Sequence, residues 1–214
     1  MEMNKINRAA DLLYKSRIYL KKIAELPQNC APQNKKEAYA IQDSLVQKYL
    51  LSDNKISVIG KKIGCTNKAA QKQININEPV YGNIFSNYSR KSSCVLSAED
   101  FFTPFIEPEF SFKIKKELSF SKAPYSFDEV YQSIDSVLPS IEIVDSRFND
   151  WTVIGINNLI ADNAANAYWI YGEEINNLDS FNFSDHLVTV YINDKIIDKG
   201  NANNVLDNPI NSLT

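Results

Sequence analysis

The sequence predicts an α+β protein, with a mainly helical N-terminal region leading into a β-rich remainder. Three observations carry this. Apolar residues recur at helical spacing early in the chain, short apolar runs of strand length dominate later, and capping signals mark helix starts.

Between residues 3 and 24, Ile6, Ala9, Ala10, Leu13, Ile18, Leu20 and Ile23 follow helical spacing with Lys and Arg between them. Residues 27–33 read as a loop. Asn34-Lys35-Lys36-Glu37 reads as a capped start, and Ala38, Ile41, Leu45, Val46 and Tyr49 continue it. Residues 56–63 read as a strand ending at Gly64, and 67–71 as a short helix. Glu78-Pro79-Val80-Tyr81-Gly82 reads as turn chemistry.

Beyond that point short apolar runs occur at 92–96, 101–113 and 138–145. A helix near 127–135 interrupts them, behind the capping box Ser126-Phe127-Asp128-Glu129. Residues 186–199 predict a hairpin turning at Asn193-Asp194. Asn208-Pro209 is a helix-start signal with little chain after it. The division expected is 1–75 helical and 76–214 β-rich.

With 214 residues and a net charge of −3, the chain suffices for one large domain or two small ones. It has no basic excess, so no nucleic-acid partner is expected. Met1 to Leu26 is charged throughout and has no apolar stretch of a secretory signal. No run is long enough to span a bilayer, so no membrane partner is expected. Cys30, Cys65 and Cys94 are odd in number and widely spaced, unlike a disulfide framework or zinc signature. A reducing, cytoplasmic location is the expectation.

The candidate chemistry lies in the acids. Ile106-Glu107-Pro108-Glu109-Phe110 puts two carboxylates at i and i+2, on one face of a strand. Glu142 sits inside the apolar run Leu138 to Val144 and could join them. Converging carboxylates repel one another unless a cation sits between them, and oxygen-only ligands favour Mg²⁺ or Mn²⁺ over zinc. An E-x-E pair is also commonly just a solvated strand face. The residues alone leave both readings open.

Several segments together resemble the 2-keto-4-pentenoate hydratase branch of the fumarylacetoacetate hydrolase superfamily. They are Ala38-Tyr39-Ala40-Ile41-Gln42, Lys62-Ile63-Gly64-Cys65-Thr66, Glu78-Pro79 with Tyr81-Gly82, and Ile106-Glu107-Pro108-Glu109. Leu138 to Arg147, Asp150-Trp151, Ala161-Asp162-Asn163-Ala164 and Val205 to Pro209 complete the set. Order and spacing fit over nearly the whole chain.

The resemblance implies a mixed β-roll after the helical part. It implies Mg²⁺ or Mn²⁺ held by Glu107, Glu109 and Glu142, and a catalytic lysine, Lys62. Gly64, Asp162 and Asn163 would line the substrate. The substrate class would be short 2-oxo or 2-hydroxydienoic acids from aromatic meta-cleavage, hydrated to 4-hydroxy-2-oxo acids by a homo-oligomer. A sister branch decarboxylates 4-oxalocrotonate with nearly the same motifs.

Each group also has a plainer reading. Lys62 could be a surface lysine, Asp162 and Asn163 could be turn-bonding groups, and Arg147 could simply pair with Asp145. His186 and Cys65 read as structural.

Three departures bear on activity. Val80 stands where relatives commonly carry Asp. Ala165 stands where they carry Ser. Asn166-Ala167-Tyr168-Trp169 replaces a Gly-rich stretch. Relatives also continue beyond the position of Thr214, so an incomplete β-roll is expected. An inactive homologue serving as a binding or oligomer partner is the third alternative.

Overall fold

A computed structural model describes residues 1–214, apart from the side chain of Ser180. Helix α1 spans Met3–Tyr19 and buries Ile6, Ala9, Ala10 and Leu13. It stops earlier than the apolar periodicity suggests. Leu20 turns left-handed at φ 47°, and Ile23 forms a parallel bridge with Phe148. Ile23 is therefore apolar because it packs as extended chain. Helix α2, Lys35–Ser52, starts where expected, with the Asn34 side chain accepting the Glu37 N–H at 3.0 Å.

Strand β1 is Val58–Gly64 and helix α3 is Lys68–Gln73. Strand β2, Val80–Phe85, corrects the sequence reading. Val80, Tyr81 and Gly82 are not a turn but the start of a strand antiparallel to β1, with Lys62 opposite Gly82 and Gly64 opposite Val80. The 92–96 run forms no strand. Only the short β3, Ser89–Lys91, precedes it, and Val95 is 95% exposed, so there is no burial to drive pairing.

Strand β4 is Phe105–Ile114. Helix α4, Phe127–Ser133, carries the full capping box and runs straight into β5, Ile134–Val144. Helix α5, Ile156–Ala161, is followed by a tight left-handed stretch over Asn163, Ala164 and Ala165, then by β6, Asn166–Tyr171. Strands β7, Leu187–Ile192, and β8, Lys195–Asn201, form the expected hairpin. Asn193 and Asp194 both take positive φ at its turn, as the tightest hairpin connection requires. The sheet order is β3-β6-β5-β4, with β1-β2 and β7-β8 as separate pairs.

The chain forms two compact units. The first comprises Met1–Arg90, Cys94–Glu107 and Glu142–Trp169. Its larger core joins Leu13, Ile41, Leu45, Tyr49, Phe85 and Phe148, and a smaller one joins Ala38, Val80, Ile160 and Ala164. The second comprises Lys91–Ser93, Pro108–Ile141 and Ile170–Thr214, with a core of Val130, Ile134, Val137, Phe183 and Ile210. Asn208 does cap a short helical turn, Pro209–Leu213, and Ile210 is fully buried in that core. Among the described residues no helix is long and apolar enough to cross a membrane.

Candidate metal centre

The three acids come together. Glu107, Glu109 and Glu142 each offer a carboxylate oxygen, and these oxygens lie within 4.8 Å of one another. Glu107 and Glu109 share a face because they are two residues apart on β4, and Glu142 comes from the neighbouring strand β5.

Glu142 is 1% exposed. Its Oε1 accepts a hydrogen bond from the Asn166 side-chain amide at 2.7 Å. Its Oε2 lies 3.0 Å from the Lys62 ammonium, an ion-pair distance, but accepts no hydrogen bond among the described residues. The Lys62 ammonium already offsets the charge at that oxygen, and a metal ion at the cluster would add the directional partner it lacks. Glu107 is open to water by surface area, yet its surroundings are crowded. Burial pushes its carboxyl pKa up, Lys62 pulls it back, and Glu142 adds to the rise. Water access keeps that rise modest. The donor set, three carboxylates whose oxygens converge, fits a hard divalent cation.

Lys62 is buried on β1 beside this cluster, so it is no ordinary surface lysine. Gly64 lies close to it. A Cβ there would sit 3.4 Å from Lys62 Nζ, so the missing side chain leaves room for the ammonium. Cys65 takes a left-handed φ of 60° after that glycine. Burial pushes its thiol pKa up against the pull of Lys62, which leaves it a poor nucleophile, as its sequence context suggests.

Asp162 and Asn163 have firm structural contacts. Asp162 is fully buried, and Arg147 Nε bonds its Oδ1. Its Oδ2 accepts the Arg147 backbone N–H at 3.0 Å and the Ser146 hydroxyl at 3.3 Å. Arg147 therefore pairs with Asp162 and not with Asp145, whose carboxylate instead accepts the Phe102 and Thr103 backbone N–H groups at 2.9 and 2.8 Å. What Arg147 bonds of Asp145 is its backbone carbonyl, at 3.0 Å from Nη1.

Asn163 is cross-linked to β2. Its Oδ1 accepts the Asn83 N–H at 2.7 Å, and its Nδ2 donates to the Asn83 carbonyl at 2.9 Å. Asn83 also donates to Gln42 Oε1 at 3.0 Å, and Gln42 donates onward to the carbonyls of Tyr81 and Ile160. This buried amide network and the Asn166–Glu142 bond have no counterpart in the sequence reading. Gln42 lies in a quoted motif without a role, and Asn166 was visible only as a bulky departure from the relatives.

No family model matches the chain. Individual proteins do. It is 29% identical over 176 residues to the "TodF product hydratase" of Pseudomonas putida, covering 82% of this chain. It is 29% identical over 209 residues to a 2-keto-4-pentenoate hydratase of Paraburkholderia phymatum, covering 98% of this chain. The chain spans 64% of the first relative's length and 78% of the second's. Its fold matches 4-oxalocrotonate decarboxylase from Pseudomonas putida G7, solved with magnesium and adipate, with a TM-score of 0.89 at 22% identity. That match covers 98% of this chain and 78% of the other. The same decarboxylase was also solved with calcium and acetate. The chain is thus similar in sequence to proteins named as 2-keto-4-pentenoate hydratases and in fold to 4-oxalocrotonate decarboxylase.

Proposed function

We propose that this chain is a divalent-metal-dependent hydratase, a hydro-lyase acting on 2-hydroxypenta-2,4-dienoate-type acids in aromatic meta-cleavage catabolism. The observation that carries the proposal is the cluster of Glu107, Glu109 and Glu142 beside the buried Lys62, in a chain whose relatives are named as hydratases. Mg²⁺ or Mn²⁺ is the ion this all-oxygen set favours.

Hydration of such a dienol has two stages. The 2-hydroxyl proton leaves and carbon 5 gains one, giving a conjugated 2-oxo-3-enoate. Water then adds its hydroxyl at carbon 4 and a proton at carbon 3. When bound, the ion supplies Lewis-acid stabilisation of the enolate common to both stages. Glu107, Glu109 and Glu142 would hold it. Lys62 would receive the substrate carboxylate or move a proton. Gly64 keeps the space at the ammonium clear. Val80 and Ala165 are buried and their side chains have no lone pair to accept a proton, so neither activates the water.

The test is isothermal titration of Mg²⁺ and Mn²⁺ into the full chain, with and without oxalate as an enolate mimic. It is followed by an assay of 2-hydroxypenta-2,4-dienoate consumption. Saturable binding, strengthened by oxalate and abolished by Glu109→Ala, together with formation of 4-hydroxy-2-oxopentanoate, is expected. No binding by the folded chain would overturn the reading. Binding with turnover of 4-oxalocrotonate alone would replace hydration by decarboxylation.

A further inference from the structure

The two oxygens of Glu142 have different partners. Oε1 takes the Asn166 amide at 2.7 Å, while Oε2 faces Lys62 and has no hydrogen-bond donor among the described residues. An ionised carboxylate only accepts, so the nitrogen of the Asn166 amide must be the end that meets it. Asn166 begins β6, the strand beside β5, which carries Glu142. Its backbone is pinned separately, because its carbonyl accepts Arg147 Nη1 at 2.9 Å. The side chain is therefore free to serve Glu142 alone.

We propose that Asn166 is a positioning residue that makes Glu142 a one-oxygen ligand, and thereby biases the centre toward a small octahedral ion and against Ca²⁺. The inference rests on the metal reading of the previous subsection. Mg²⁺ demands near-octahedral geometry at about 2.0–2.1 Å, which suits carboxylates that each give one oxygen. Ca²⁺ gathers about 6–8 oxygens at about 2.3–2.6 Å and often fills its larger shell with two-oxygen carboxylates. The Asn166 amide takes one lone pair of Oε1 and fixes the plane of the carboxylate, which disfavours chelation through both oxygens.

The residue type suits the task. A Lys or Arg donor would draw charge from the carboxylate and weaken it as a ligand. An Asp would repel it. A neutral amide at Oε1 fixes the orientation without adding to the pull that the Lys62 ammonium already exerts at Oε2.

A purely structural role would satisfy Glu142 without sorting ions, and the ratio of affinities separates the two. Mg²⁺ and Ca²⁺ are titrated into the full wild-type chain, Asn166→Ala and Asn166→Ser, with thermal unfolding by circular dichroism as the fold control. The wild-type chain is expected to prefer Mg²⁺. The variants should lose about tenfold in Mg²⁺ affinity, as loss of a ligand's supporting bond typically does. Their Ca²⁺ affinity should hold or rise.

If Asn166→Ala fails to fold, Asn166→Ser reads the same ratio with a polar group too short to reach Glu142. If neither folds, the residue is structural and the inference falls. Equal losses for both ions, or an unchanged ratio, overturn this inference alone. A folded wild-type chain that binds neither ion overturns the metal reading and takes this inference with it.

Discussion

Gly82 lies so close to the backbone of Asn163 that a Cβ on it would sit 2.5 Å from the Asn163 carbonyl oxygen. That approach is what lets β2 carry the Asn83–Asn163 amide pair on the next residue. Gly82→Ala must push the two backbones apart, because the obstacle is a carbonyl and not the end of a flexible side chain. The expected loss is about 1–3 kcal/mol, the usual cost of overpacking a tight interior. Urea unfolding checks it, and a variant as stable as the parent would show that the approach is not needed.

Arg147 and Asp162 form a buried ion pair with hydrogen bonds on both carboxylate oxygens. Asp162→Ala leaves the buried Arg147 guanidinium without its directly bonded carboxylate, and Asp145 remains only as a more distant charge. Breaking such a pair from one side costs about 3–5 kcal/mol. Asp162→Asn, which keeps the shape, should cost less. If Asp162→Ala unfolds at the same urea concentration as wild type, the pair is not the anchor described here.

How far the sequence could be read depended on whether a signal was local. Asn34, Ser126 and Asn193-Asp194 announce helix starts and a hairpin through bonds made within a few residues, and those elements form where expected. The carboxylate face was legible for the same reason, since Glu107 and Glu109 need only strand alternation to align.

What escaped depends on distant partners. Gly82 looks like turn chemistry until Asn163, from a distant part of the chain, is seen against it. Ile23 looks like a helical residue until Phe148 pairs with it. Asp162 gives no local sign that Arg147 will bond it. Asn166 gives no local sign that it reaches Glu142, because adjacency of β5 and β6 is a property of the sheet.

Lys62 and Glu142 face each other across 3.0 Å, both buried. In the metal-free protein Lys62→Met leaves Glu142 without that charge partner, at a cost of about 3–5 kcal/mol. An ion at the three carboxylates would restore the compensation. Adding Mg²⁺ should therefore raise the melting temperature of Lys62→Met more than that of wild type. An equal rise in both proteins would mean that the ammonium and the ion do not share Glu142.

Glu107 gives the pH dependence. Burial and the neighbouring Glu142 raise its folded-state pKa above the ordinary 4.5, against the pull of Lys62. Protonation then favours the folded chain. The stabilising contribution is fully present below the ordinary value and is lost as pH rises through the raised one. In metal-free protein near pH 7 the ionised Glu107 is thus a net cost, and Glu107→Gln should unfold at a higher temperature than wild type. Water access limits the gain to less than about 1 kcal/mol. The gain should vanish in acid, where wild-type Glu107 is itself neutral. Saturating Mg²⁺ should reverse the order, because at about 100 times its Kd a ligand adds about 2.7 kcal/mol to the protein that binds it, and the glutamine variant lacks one of the three ligands. Melting curves at two pH values, with and without Mg²⁺, read all of this. A metal-free Glu107→Gln no more stable than wild type near pH 7 would mean that the carboxylates already relieve one another without an ion, and the electrostatic case for a cation there would fail.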